Sequence, residues 1–277
     1  MADRYGRKPR PQRTQRTQRP ANRDRDPVET AELGDQHWDD VVDVVCAGSA
    51  VATAAALAAV RLGLRVRLAA SSDSVDEDTA TYLSSVTDDL ADPSPEGVGP
   101  ELPVRQVDGP AGQPDQNPSG AVTFMGASLR TWAAKCVTAP GGVLSTSVAD
   151  PRMTTRYTGF GRVTEVVPVC EVTAGADLPP FEQWLDDQAD DEDAPTTSED
   201  TLAGLVFDDG RVTGAVLDTP DGLRTVRARY GVVLALNDGA DLTWPSAGVP
   251  DGATVDLAFV TMAASRFARL ELLVTED

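Results

Sequence analysis

The chain has 277 residues, with 44 Asp and Glu against 24 Lys and Arg for a formal net charge of −20, and its side chains are 41% hydrophobic but only 5% aromatic. It is long enough for one large or two small domains around a core of Ala, Val and Leu, and its acidic body repels nucleic acid and anionic membranes. Cys46, Cys136 and Cys170 lie far apart and form no C-x-x-C pair, so the sequence suggests neither a zinc site nor a disulfide framework.

The charge is unevenly placed. Residues 1–26 hold nine basic side chains against three Asp, and "RKPRPQRTQRTQRPANRDRDP" (7–27) has no apolar periodicity. Such a composition cannot bury enough surface to offset its ordering entropy, so residues 1–36 are expected to form a disordered basic arm. A solvated tail is the plain reading, and nucleic-acid binding through the arm is the minority one. No apolar h-region opens the chain. The one long uncharged run, residues 44–60, is shorter than the roughly 20 residues of a membrane span. With reduced, buried thiols the expected compartment is the cytoplasm.

Organised structure is expected from residue 37 to 277. Residues 41–47 read as a buried strand, 50–62 as a helix of good formers ended by Gly63, and 64–69 as a second strand. Strand, helix and strand in succession make a βαβ unit with a right-handed crossover. "DEDTATYLSSVTDDL" places Tyr82, Leu83, Val86 and Leu90 on one helical face, and a Pro/Gly-rich loop follows. "ASLRTWAAKCV" (127–137) is a second helix with Leu129, Trp132, Ala133 and Cys136 inward. "DDQADDEDAPTTSED" (186–200) reads as a disordered acidic loop; it lacks the spacing and central Gly of a calcium-binding loop. From residue 202 to 236, three strands are joined by turns at Asp208, Asp209 and Gly210 and at Thr219, Pro220, Asp221 and Gly222. Their last part, 232–236, is fully apolar, as in a strand returning to a buried sheet.

"VVDVVCAGSAVATAAALAAVRLGLRVRLA" followed by "GRVTGAVLDTPDGLRTVRARYGVVLAL" resembles the FAD-binding domain of the fumarate reductase, succinate dehydrogenase and ketosteroid dehydrogenase flavoproteins. In that family a first βαβ unit holds the ADP half of FAD, and a β-meander leads into a strand ending near T-G-G, where this chain has Leu236, Asn237 and Asp238. "PDGATVDLAFVTMAASRF" (250–267) is similar to the family's G-D-G-I…A…G-A helix. The resemblance implies an α/β, Rossmann-like FAD/NAD(P)-binding fold with an inserted antiparallel β-meander, and FAD as cofactor. It implies cofactor contacts at Gly48, Ser49, Ala50 and Val51 in the first turn, and at Ser71, Ser72 and Asp73 after the second strand.

The chain departs from the family pattern at both ends of that site. Registered on the strand, the three glycine positions are Gly48, Ala50 and Thr53; registered on Gly63, they are Ala47, Ser49 and Ala52. A second glycine lets the backbone reach the pyrophosphate, and an alanine forced to φ > 0 there would cost about 1–2 kcal/mol. Ala70 stands where the family carries the ribose-binding Glu. His37, the single histidine, has no oriented partner in the sequence, and no G-x-S-x-G, Walker or H-E-x-x-H motif occurs, so no catalytic residue is assigned. The expected function is an FAD-binding, oxidoreductase-like protein without a capping domain, its site completed by a partner chain. The alternative is a non-catalytic flavoprotein relic acting as a binding or scaffold module without cofactor.

Overall fold

The computed structural model describes residues 37–72, 74–90, 99–110, 126–148, 150, 153–159, 162–196, 198–237 and 241–275. The expected basic arm lies outside these residues. The first three elements are β1 (Asp40–Ala47), α1 (Ala50–Arg61) and β2 (Val66–Ala69). β1 pairs in parallel with β2 on one side and with β10 (Gly222–Ala235) on the other. The three strands read from the sequence at 41–47, 64–69 and 232–236 are therefore neighbours in one sheet. This mixed α/β arrangement is compatible with a Rossmann-like fold.

Before β10 come β8 (Thr201–Asp208) and β9 (Arg211–Thr219), which pair antiparallel with each other, and β9 pairs antiparallel with the first half of β10. β10 changes partners along its length. Its residues 222–227 face β9, whereas residues 233–235 pair antiparallel with β5 (Gly142–Ser145). The change falls around Gly231, whose φ of +123° suits only glycine and where a Cβ would come 2.8 Å from the Thr146 hydroxyl. That hydroxyl accepts the Val232 N–H at 2.8 Å.

Beyond β5 the sheet continues through β12 (Phe267–Thr275), β11 (Thr254–Thr261), β7 (Arg162–Thr173), β6 (Thr155–Gly159) and β4 (Gly109–Pro110), while β3 (Val104–Val107) lies parallel to β12. Residues 254–261, expected to be helical by resemblance, are thus a strand. The sequence "TVDLAFVT" is β-branched and aromatic, and it bonds to β12 on one edge and β7 on the other, so pairing on both edges decides its state.

β12 shows how the sheet is covered on both faces. Ala268, Leu270, Leu272 and Val274 belong to the cluster around α1; Phe267 and Leu273 belong to the cluster around α3 (Gly126–Thr138), with Trp132, Ala133 and Cys136. α2 (Glu77–Thr87) packs on that same side through Tyr82, Leu83 and Val86. Asp76 caps it by accepting the Thr79 N–H at 2.7 Å, and Thr79 in turn accepts the Leu205 N–H of β8 at 2.6 Å.

α1 is the centre of the fold. Every residue from 51 to 59 is buried, which an amphipathic surface helix never shows. It touches β1, β2 and β10 on one side and β7 and α4 (Phe181–Asp191) on the other. Seven alanines in "AVATAAALAAVR" let the neighbours approach that closely. At its carboxyl end Arg61 donates to the Val169 carbonyl at 3.1 Å and to Glu192 at 2.8 Å.

α4 corrects the expected acidic loop at 186–200. The segment is helical to Asp191, Ala194 is buried, and Asp200 pairs with Arg67. Phe181, Trp184, Leu185 and Ala189 form an apolar stripe on the acidic helix. Phe181, Trp184 and Trp244 pack ring to ring with centroids 5.1–6.2 Å apart, and the Trp244 indole donates to the Pro179 carbonyl at 2.8 Å. Asp187, Asp190 and Asp191 remain solvent-exposed. Charge density hid the stripe, and packing against α1 stabilises it.

Candidate functional site

The two ends of α1 open onto two cavities. The recess at its amino end, about 300 Å³, is lined by Gly48 and Ser49 of the β1–α1 turn, by Ala50 and Thr53 of the first turn of α1, by Leu68 and Ala70 of the β2 end, and by Glu182, Asp186, Thr196 and Ser198. The first three were expected to hold a dinucleotide, and the structure brings them together with Ala70. Ser71 and Ser72 do not line the recess; the Ser72 hydroxyl closes a local turn with Ser74, donating to its carbonyl at 2.9 Å and accepting its N–H at 3.2 Å. The side chain of Val51 is buried in the core, and Asp73 lies outside the described residues.

The turn itself is tight. Gly48 has φ +136°, and a Cβ built on it would come 2.5 Å from the Cβ of Ala235 at the end of β10. Ala50, by contrast, is the first residue of α1 and is not among the residues with positive φ. The expected left-handed penalty at Ala50 therefore does not exist. A glycine there would only lose helix propensity, by up to about 1 kcal/mol.

A helix amino end attracts anions through its unpaired N–H groups. Here the Ala52 amide bonds to the Ser49 carbonyl at 2.8 Å, beside the ordinary first intrahelical bond from Thr53 at 3.2 Å. The recess also holds two carboxylates from α4. The carboxyl of Asp186 is pushed above its usual range, first by burial and then by Asp190 and Asp187 beside it. The negative charges of Glu182 and Asp186 in the recess oppose a pyrophosphate there. At the ribose position, the Ala70 N–H donates to Asp200 at 2.8 Å and its carbonyl accepts from Leu202 at 3.0 Å, so the strand end is engaged by the start of β8. The residues at this end do not fit FAD.

The position of the family's T-G-G is also put to other use. Asn237 donates through Nδ2 to the carbonyls of Val137 and Ala139, both at 2.7 Å, and so caps the carboxyl end of α3. His37 is solvent-exposed, 3.9 Å from Asp39.

The three thiols are inert. Burial pushes Cys46 and Cys136 up to about 12 and Cys170 up to about 11, from an ordinary value of 9.0; at Cys136 the nearby Arg269 pulls down and Glu271 pushes up by less. A thiol that the fold keeps protonated adds stability that is complete below pH 9, where the unfolded thiol is protonated as well, and that is lost as pH rises toward 11–12. Urea midpoints should accordingly fall between pH 9 and 11, less steeply in Cys46→Ala. A thiol reagent should label none of the three in the native protein at pH 8 and all of them in urea. Rapid labelling of native Cys46 would contradict the burial argument.

The larger cavity, about 640 Å³, lies at the other end of α1 and is lined by Ala55, Ala58, Ala59 and Leu62 with parts of β1, β5, β7, β10, β11 and β12. No sequence reading pointed to it, because its walls come from seven elements spread from Val44 to Ala268. Glu182 and Asp186 were missed for a different reason. The i, i+3, i+4, i+8 spacing of Phe181, Trp184, Leu185 and Ala189 was readable as a helix and lay beneath the acidic count.

Among the described residues no group of His, Cys, Asp and Glu could hold a metal ion, and no helix is long and apolar enough to cross a membrane. No protein-family profile matches the sequence, and no curated protein matches it. Among solved structures the chain is similar to a geranylgeranyl bacteriochlorophyll reductase-like protein from Thermoplasma acidophilum, at 14% identity over 68% of this chain and with a TM-score of 0.26. The match spans 38% of that protein's length.

Proposed function

We propose that this domain is a binding module built on a flavoprotein-like α/β scaffold and working without a dinucleotide cofactor. The observation that carries the reading is the pair Glu182 and Asp186 in the recess at the amino end of α1, where a pyrophosphate would need cations or bare amides. Like charges brought together in this way cost several kcal/mol of binding. Ala70 supplies no charged acceptor for a ribose, and its backbone is already bonded.

Isothermal titration with FAD and with ADP checks this. The expected result for the wild type is a Kd of about 1 mM or weaker, and a purified protein with no absorbance near 450 nm. If repulsion is the cause, the double replacement Glu182→Gln with Asp186→Asn should bind ADP measurably more tightly, because it removes both charges and leaves the turn intact. Micromolar binding of FAD by the wild type would overturn the reading in favour of an FAD-binding oxidoreductase.

A further inference from the structure

The geometry points to the cavity at the carboxyl end of α1 as a binding site for an aliphatic carboxylate, its chain inside and its head group against Arg229. This inference goes beyond the reading above and is independent of it, because the two cavities lie at opposite ends of a 12-residue helix, about 18 Å long.

The interior is apolar. Ala55, Ala58 and Ala59 leave space on the helix side, and Val143, Val233 and Phe259 face them from the sheet. The carbonyls at the helix end do not disturb this lining, since those of Ala58, Ala59 and Val60 accept N–H groups from Leu62, Gly63 and Leu64. A volume of about 640 Å³ falls within the range of small-molecule pockets, about 300–1,000 Å³.

The mouth is apolar too, and that is unusual. Only a few large hydrophobic side chains stand exposed among the described residues, and three of them, Leu62 (42%), Val148 (50%) and Tyr230 (45%), border this one opening. Apolar groups gathered at a cavity mouth mark a binding site more often than scattered ones do. A second copy or a peptide would need a broad contact of about 800 Å² per partner, whereas here the apolar surface runs inward from the rim.

Charge selects the head group. In a chain of net charge −20 this lining carries two arginines, Arg229 and Arg266, against one acid, Asp150. Arg266 is turned to Tyr82, donating to its hydroxyl at 2.9 Å and lying over its ring. Arg229 bonds Asp43 at 3.1 Å through one arm of a five-donor fork. The other Asp43 oxygen accepts the Arg65 N–H at 2.9 Å. A carboxylate at the mouth completes a bridge with Arg229 that an ammonium head group cannot make.

The probes are dodecanoate, 1-dodecanol and dodecylammonium, titrated calorimetrically below their micellar range into the full chain. Dodecanoate should bind at one site with micromolar Kd, and dodecylammonium at least tenfold more weakly. Arg229→Met should weaken dodecanoate at least tenfold and leave dodecanol unchanged. Leu62→Asp with Val148→Asp, both at exposed positions, should weaken dodecanoate and dodecanol together while leaving the melting temperature unaltered. Absence of binding by all three probes overturns the proposal, as does equal binding of the carboxylate and the ammonium. Sedimentation showing a dimer that the Leu62→Asp and Val148→Asp pair dissociates would overturn it as well and assign the mouth to a second copy. Failure here leaves the FAD titration untouched, since that reads the other end of α1.

Discussion

Replacing Glu271 with alanine is expected to lower stability by about 3–5 kcal/mol, read as a shift in the urea unfolding midpoint. Glu271 lies on β12 with a side chain only 1% exposed, on the face of the sheet that packs beneath α3. Its Oε2 accepts from Arg105 Nε at 2.7 Å, its Oε1 accepts from Arg105 Nη2 at 3.0 Å, and Arg269 Nε donates to Oε1 as well. Both guanidinium groups sit over the Trp132 ring, 5.9 and 5.4 Å from its centroid. The indole N–H is fixed by the Phe267 carbonyl at 3.1 Å. Removing the carboxylate strands two half-buried cations side by side on one aromatic face, and the charge left behind costs more than the lost bonds. Apolar replacement of all three, with leucine at Arg105, Arg269 and Glu271, should therefore cost far less than Glu271→Ala alone. A loss under about 1 kcal/mol for the single variant would show that water reaches the arginines and that burial of the triad is not what holds it.

Gly48→Ala should cost about 2–6 kcal/mol by the same measurement, combining backbone strain of about 1–3 kcal/mol at positive φ with an overpacked contact of about 1–3 kcal/mol. The contact is specific, because the new Cβ would lie 2.5 Å from the Cβ of Ala235. Ala235→Gly removes that atom and leaves the strain. The double variant should thus be more stable than the sum of the two single losses implies, by about 1 kcal/mol or more. Additive losses would mean that the β10 end moves away instead and that Gly48 is kept for its φ alone. Either result separates packing from ligand binding as the reason for the glycine. In this fold the glycine lets the β1–α1 turn pass against β10 whether or not any anion sits nearby.

The parallel core was legible in the sequence because its signals are local. Apolar runs at 41–47, interrupted only by Asp43, and at 232–236, a helix of small residues closed by Gly63 and the D-G turns of the hairpins each specify backbone geometry within a few residues. β1, α1, β2, the β8–β10 hairpins and α3 follow those signals. The state of residues 254–261 was not local. Their strand character comes from pairing with β7, about 90 residues earlier in the chain, and with β12, and no window of sequence shows both partners. The same holds for the site. Gly48, Ser49 and Ala50 were found from their spacing, but whether an anion is welcome there depends on Glu182 and Asp186, which arrive from a helix more than 130 residues away. The salt bridge from Arg105 to Glu271 joins positions 166 apart. Residue periodicity thus determined which segments become buried strands and helices. Only tertiary packing decided that α1 is enclosed on every side, that its amino end is covered by acid, and that its carboxyl end opens onto an apolar cavity, because electrostatics and cavity walls are set by distance in space and not by distance along the chain.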